Sequence, residues 1–284
     1  MLTSLLVATD LSDRSARAVA RAAALATAAQ ARLTALHVVE NDAPEDRLRE
    51  TIRSAERDVA DQLAAVGAPG DCEIVVTPGH AFHVIGEAAR ARGVDVIVTG
   101  AHRRRFLRDV FVGTTVERVT RTAGRPVLMA NGVSGGPWRR VLVATDMSET
   151  SGRAACAAHA LGLFDGAEVT FVHGYAPITR QLMAYAGVLP ERIHEEAERE
   201  FQATCADLGR FIQGLGLGDL PRHARIIEGV GADAIAGFVG QHRPDLLVIG
   251  TRGLSGVKRL FLGSVAQDLM GSLEIDIFAA PPLL

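Results

Sequence analysis

The chain has 284 residues, of which 48% are hydrophobic and 22% charged, with 29 glycines, 11 prolines and a formal charge of −3. That length is nearly twice a common domain size of about 150 residues, so two domains are expected, and the composition excludes a disordered or collagen-like chain. The slight negative charge provides no global field for nucleic acid, and no apolar run is long enough to cross a membrane, so neither partner is expected.

The chain opens on MLTSLLVATD, which lacks a basic segment and is interrupted by Asp10. Cys72, Cys156 and Cys205 are odd in number and form no C-x-x-C pair. A soluble protein of the reducing cytoplasm is the expectation. Short Val/Ile/Leu-rich runs follow at Leu5–Ala8, Leu33–Val39, Cys72–Val76, Val94–Thr99 and Val127–Ala130. They do not alternate with polar residues, which suits strands buried on both faces of a parallel sheet. Between them the pattern predicts helices at Ser15–Ala29 and at about 48–66, 81–92 and 114–123, with Ser12 placed to cap the first.

The chain then repeats itself. LVATDLSDRSARA at 6–18 returns as LVATDMSETSGRA at 142–154, an offset of 136 that persists from His37 to His173. Farther on, Gly100 matches Gly250 and Gly113-Thr114 matches Gly263-Ser264, at an offset of 150, so the second copy carries 14 extra residues. These fall in Gly174–Pro190, an apolar stretch that either packs on the other copy or covers a ligand. From Ile193 the spacing Ala197, Phe201, Cys205, Leu208, Ile212 predicts one buried helical face. The Gly/Ser/Pro stretch at 131–137 reads as a linker. The expected architecture is therefore α/β: two tandem doubly wound domains, each a five-stranded parallel sheet flanked by helices. The domains are assigned to residues 1–132 and 139–284, with 133–138 as linker.

Gly250-Thr251-Arg252-Gly253, nine residues, then Gly263-Ser264 is the stretch richest in chemistry. It begins at a strand end and finishes where a helix should start, so glycine backbone freedom, helix-terminal amides and the Ser264 hydroxyl can cradle an anion. Arg252, Lys258 and Arg259 add positive charge in the same loop. Of 30 basic residues only Lys258 is a lysine. The Gly229–Ala234 turn imitates a dinucleotide fingerprint but lacks the acidic residue at the end of the next strand, and no Walker A motif occurs. His80 and His83 have no local acidic companion, so no metal site is expected, and no catalytic constellation recurs in both copies.

The pattern G-x-x-G, nine residues, G-[ST], with the Ala-Thr-Asp strand ends, the strand-two histidines and Gly79 and Gly229, resembles the universal stress protein family over essentially the whole chain. The resemblance implies an adenine nucleotide α-hydrolase-like fold and ATP as ligand, with ADP or AMP as alternatives and Mg accompanying it. Carried over residue by residue, it implies a site in the second domain. There Ala144, Thr145 and Asp146 lie near the adenosine, Val172 (or Gly174) at the adenine, and Gly250, Arg252, Gly253, Lys258, Gly263, Ser264 and Val265 around ribose and phosphates. The first domain puts Arg103 where the second glycine belongs, so Asp10, Val38, Gly100, Arg103, Gly113 and Thr114 form at most a weaker second site. The implied role is stress response through nucleotide-dependent conformational or partner regulation, as a homodimer with an unidentified protein partner. The competing readings are an interaction scaffold that takes no nucleotide and a weak ATP-hydrolysing enzyme. The apolar last strands suggest that the two domains pack as an internal pseudo-dimer, and the resemblance implies that these strands pair with each other.

Overall fold

A computed structural model describes residues 1–40, 44–100, 115–132, 136–177, 189–218, 220, 222–251 and 262–281, the side chain of Arg121 apart. The first half runs β1 (Ser4–Thr9), α1 (Asp13–Ala29), β2 (Arg32–Val39), α2 (Glu45–Ala65), β3 (Glu73–Pro78), α3 (Ala81–Arg92), β4 (Val96–Gly100), α4 (Thr115–Thr122) and β5 (Val127–Ala130). The second runs β6 (Arg140–Ala144), α5 (Glu149–Ala160), β7 (Glu168–Tyr175), α6 (Pro190–Gly214), β8 (Arg222–Glu228), α7 (Gly231–His242), β9 (Leu246–Gly250), α8 (Ser264–Ser272) and β10 (Asp276–Ala280).

The strands form one ten-stranded sheet in the order β3-β2-β1-β4-β5-β10-β9-β6-β7-β8. Every pairing is parallel except β5 with β10, where Met129, Leu128 and Val127 face Ile277, Phe278 and Ala279 antiparallel. The pairing of the last strands expected from sequence is therefore present, and it joins two five-stranded units into a single sheet. Each half has strand order 3-2-1-4-5, with a reversal between its first and fourth strands. Buried residues from both halves pack on each side of the sheet. One cluster combines Val19 and Ala22 of α1 with Ala154, Leu208 and Phe278, the other Ile85 and Val119 with Val239 and Leu269. Three layers result, with cores that run across the seam.

Both copies solve the same local problems alike. Ser12 and Ser148 cap α1 and α5 by accepting from the amides of Ser15 and Ser151. The carboxylates of Asp95 and Asp245 each take two amides at the start of the copy's first strand: Thr3 and Ser4 for Asp95, Arg139 and Arg140 for Asp245. Asp95 sits just ahead of β4, and Val94 closes the α3 turn through the Ala89 carbonyl, which is why the strand starts two residues later than the apolar run suggests.

One expectation needs correction. Only Leu208 and Ile212 of the predicted face on α6 are buried, while Phe201 is exposed and meets the Tyr175 ring edge-on at 6.2 Å. At 25 residues α6 is about 37 Å long, more than β7 or β8 can cover, so its N-terminal half overhangs them. The linker is tied down at its described ends. Asn131 and Gly132 donate their amides to Asp276 Oδ1 at 2.9 and 2.7 Å, and the Gly136 carbonyl accepts from Arg21. Trp138 donates Nε1 to Asp276 Oδ2 at 2.9 Å, beneath the Arg21 guanidinium, which is 4.6 Å from its ring and 2.9 Å from the same carboxylate oxygen. Among the described residues no helix is long and apolar enough to cross a membrane.

Candidate functional site

In the second half, β6 and β9 part company at their carboxyl ends, and a cavity of about 290 Å³ opens there. This is the place where open α/β sheets leave a crevice, between strands whose connections leave in opposite directions. Its walls come from four elements or their edges. Ala144, Thr145 and Asp146 follow β6, His173 and Gly174 lie on β7, Ile249 and Gly250 end β9, and Gly263, Ser264, Val265 and Ala266 begin α8. Val230, Gly231 and Ile235 close it from the turn into α7, and Ser151 lies on the floor.

The turn after β6 is fixed by its own side chains. Thr145 Oγ1 accepts from the Met147 amide at 2.9 Å and lies 2.8 Å from Ser151 Oγ, while Asp146 Oδ1 accepts from the Ser148 amide at 3.1 Å. Met147 takes φ 58°, a left-handed conformation that these bonds hold in place. His173 Nδ1 is 2.9 Å from the Thr145 carbonyl, which can only accept, so the proton resides on Nδ1. His37 repeats the contact with Thr9 in the first half. Both strand-two histidines are hydrogen-bonded braces for the neighbouring strand end.

The amide end of α8 faces the cavity. Gly263 is its N-cap, with φ −61° and ψ 144°, and the Gly263 amide donates to the Thr251 carbonyl at 2.8 Å. The amides of the first turn that follow have no earlier turn to bond, so they and the Ser264 hydroxyl form an anion-attracting end. The apolar side of the cavity comprises Ile235, Ile249, Ala266 and two exposed valines, Val230 and Val265. Apolar surface facing a polar helix end suits a flat heterocycle carrying an anionic tail.

Seven of the residues expected from sequence meet at this cavity: Ala144, Thr145, Asp146, Gly250, Gly263, Ser264 and Val265. Val172 does not. It is 1% exposed and pairs with Ala144 at the end of β6, whereas Gly174, two residues farther along the same face of β7, lies past that end where the cavity opens and supplies the wall instead. Arg252, Gly253 and Lys258 lie outside the described residues. The glycines also act differently from expectation. Neither Gly250 nor Gly263 has a positive φ. A Cβ on Gly250 would lie 3.1 Å from the Ser151 amide nitrogen and 3.2 Å from its Cα, so glycine there lets the N-terminus of α5 press against β9. On Gly174 a Cβ would come within 2.7 Å of the Gly229 carbonyl. Ser151, His173, Val230, Gly231, Ile235, Ile249 and Ala266 are lining residues that the sequence reading does not assign to the site. The Gly229-Val230-Gly231 turn, set aside as an imitation of a dinucleotide fingerprint, is the local signal that could have marked this corner.

In the first half, Asp10 and Gly100 hold the equivalent places, and Arg103, Gly113 and Thr114 lie outside the described residues. Asp10 Oδ1 is engaged by both the amide and the hydroxyl of Ser12, at 3.1 and 2.5 Å. Burial pushes the Asp10 carboxyl up, but those hydrogen bonds outweigh it and hold it below its ordinary value. The position of Gly174, 136 residues earlier, is Val38.

Comparison with known proteins agrees with the doubled architecture. The family model described as "Universal stress protein family" matches residues 1–131 and again 137–281. A curated relative from Thermus aquaticus, a universal stress protein in the QAH/OAS sulfhydrylase 3′ region, is 34% identical over 141 residues, covering 49% of this chain and 96% of that protein. Among solved structures, a universal stress protein from Archaeoglobus fulgidus superposes with a TM-score of 0.69 at 19% identity, covering 98% of this chain and 96% of its own. A universal stress protein solved in complex with cAMP covers 44% of this chain and 94% of its own, with a TM-score of 0.37 and 26% identity.

Proposed function

The chain belongs to the universal stress protein family, and from that premise we propose that its second domain binds an adenine nucleotide, ATP in the first instance, at the β6/β9 cavity. The observation that carries this reading is the meeting of three unlike surfaces in one cavity: an apolar wall, a carboxylate and a helix amide end. Adenine would lie against Val230, Ile235, Ile249 and Val265. The Asp146 carboxylate, an acceptor, would take the ribose hydroxyls. Phosphates would meet the first amides of α8 and the Ser264 hydroxyl, where the helix dipole favours negative charge. About 290 Å³ is close to the lower bound of small-molecule sites, enough for the nucleoside, with the phosphates extending along the α8 end. Asp146 is the one carboxylate among the described lining residues, so Mg would ride chiefly on the phosphates.

The reading divides the chain into domains at 1–132 and 139–284 and assigns the first a weaker site or none. Nucleotide occupancy would act in stress response by favouring one arrangement of the protein, or one partner, over another. That requires different affinity for two states. A cytoplasmic homodimer completes the proposal, and light scattering with and without ATP would measure the assembly.

Calorimetry with ATP on the whole chain tests the site. Asp146→Ala should weaken binding about tenfold or more, because it removes a charged acceptor from two hydroxyls. Gly253→Arg, which copies the first domain's motif, should weaken it as well. Retention of affinity by both variants, or no heat and no thermal shift with ATP, would sink the proposal and favour a scaffold that takes no nucleotide.

A further inference from the structure

The two copies can be compared position by position, and at the far end of the sheet from the nucleotide cavity they differ in a directed way. In the first half, the Glu73 carboxylate at the start of β3 lies in a ring of donors. Arg92 Nε and a terminal nitrogen reach its two oxygens at 2.9 and 2.7 Å, and Thr34 Oγ1 donates at 3.0 Å. The hydrogen bonds from Arg92 hold this carboxyl below its ordinary value. The protein's own carboxylate thus occupies the place.

In the second half the counterpart of Thr34 is Thr170, that of Glu73 is His223 and that of Arg92 is His242. The threonine donor is kept and the carboxylate is gone. Two further cations enter: Arg140 where the first copy has Ser4, and Arg225 where it has Val75. These residues surround a groove of about 280 Å³ on the sheet face beside α7, floored by Leu142 and walled by Phe238. The ionisable groups facing it are Arg140, Glu168, His223, Arg225 and His242. Glu168 is 3.4 Å from His223 Nε2 and accounts for one of them. Among the described residues neither Arg140 nor Arg225 has an acidic partner within ion-pair distance. His242 stacks on Phe238, with ring centroids 3.7 Å apart, and its Nδ1 is 3.1 Å from the Phe238 carbonyl. Nε2 is the ring nitrogen that this contact leaves for another partner.

From these substitutions we infer that the β6–β8 groove of the second domain binds a small polycarboxylate anion, which occupies the place that the Glu73 side chain fills in the first domain. One carboxylate would sit between Thr170, His242 and Arg225, as Glu73 sits between Thr34 and Arg92. The groove exceeds what one carboxylate fills, and Arg140 lies on its other side, so a ligand with two or three carboxylates fits the charge pattern. Guanidinium pairs with carboxylates in planar, two-pronged fashion, which favours this class over a halide. The inference stands apart from the nucleotide reading, since the groove and the cavity share no residue.

Citrate is the probe, titrated into the full chain at about pH 6, where histidines carry appreciable charge, with ionic strength held constant by sodium chloride. The readout is the NMR signal of the His223 and His242 Cε1–H groups, assigned with His223→Gln and His242→Gln. Saturable shifts of both signals are expected, weakened about tenfold by Arg225→Gln. The double variant His223→Glu/His242→Arg installs the first domain's self-filled arrangement and removes both reporter imidazoles, so it is compared with the natural chain by calorimetric titration of citrate, in which saturable heat should vanish. All these positions but Thr170 and the groove floor are solvent-exposed or nearly so, and unchanged circular dichroism would certify the fold. Shifts that chloride alone reproduces, or a double variant that binds citrate as the natural chain does, would overturn the inference. Inorganic phosphate competing as well as citrate would overturn the assignment to polycarboxylates.

Discussion

Asp276 offers the sharpest test of how the two halves are held together. Its carboxylate is 1% exposed and the Arg21 side chain 6%, so both charges have left water. Four donors converge on it: the Asn131 and Gly132 amides on Oδ1, and Trp138 Nε1 and Arg21 on Oδ2. The substitution Asp276→Asn keeps the volume but removes the charge and turns an NH₂ group toward donors. Adding about 1.5–3 kcal/mol for each charged hydrogen bond would overshoot, because all four share one desolvated group. The better bound is the cost of stranding a buried charge, about 3–5 kcal/mol. Against a typical total of about 5–15 kcal/mol, that is a large fraction. Urea unfolding of Asp276→Asn, Arg21→Met and the double variant forms a cycle that isolates the pair. Each single variant should lose about 3 kcal/mol or more, and the double variant clearly less than their sum, since removing both charges strands neither. A loss under about 1 kcal/mol in Asp276→Asn, or single losses that add within about 0.5 kcal/mol, would refute the reasoning.

Gly250→Ala should destabilise by about 1–3 kcal/mol, read by thermal unfolding, because its methyl would force the start of α5 away from β9. The same variant should lose ATP affinity, measured by calorimetry, since that helix start forms the cavity floor. Burial raises the Asp95 carboxyl, but hydrogen bonds from the Thr3 amide and hydroxyl and the Ser4 amide outweigh it, and the net shift is downward. A lowered carboxyl stabilises the fold above its unfolded value of about 3.9 and loses that contribution as pH falls through the folded value. Stability of Asp95→Asn measured from pH 7 downward should therefore fall less steeply in acid than that of the natural chain. Burial pushes the Cys72 thiol up to about 11, so Cys72 should react with iodoacetamide at neutral pH far more slowly than a model thiol, followed by mass spectrometry of its tryptic peptide.

The sheet was legible because buried parallel strands leave continuous Val/Ile/Leu runs, and the repeat doubled every such signal. Elements at 4–9, 32–39 and 127–130 fall where the runs are. The candidate site was legible where a local motif marks it, at Asp146, Gly250 and Gly263-Ser264. It was obscured at β7, since Val172 and Gly174 share one face of the strand and differ only in how far along it they stand, and which of them passes the end of β6 depends on register. The seam was hidden altogether. Arg21 sits in an Ala-rich helix, Trp138 after a linker and Asp276 before an apolar run, separated by more than a hundred residues in two steps. Nothing in the local pattern of any of the three announces the others, and only tertiary packing brings a lone charge on a core-facing helix position to its partner.

The seam and the cavity are nonetheless one piece of structure. The Gly263 amide, at the start of α8, donates to the Thr251 carbonyl, and the Thr251 amide donates to the Ala280 carbonyl at the end of β10 at 3.1 Å. β10 is the strand that crosses to the first half through β5, and Asp276 at its beginning binds Arg21 and the linker. Two hydrogen bonds thus separate the anion-attracting end of α8 from the strand that joins the domains. A phosphate drawn to those amides would pull on Gly263, whose own amide is tied through Thr251 to that strand. Proximity alone does not make a coupling, which needs an element with two arrangements that both sites bias. The antiparallel β5/β10 pairing is the candidate for that element. It is the single antiparallel step in an otherwise parallel sheet, and polar contacts from α1, the linker and β10 meet at its edge.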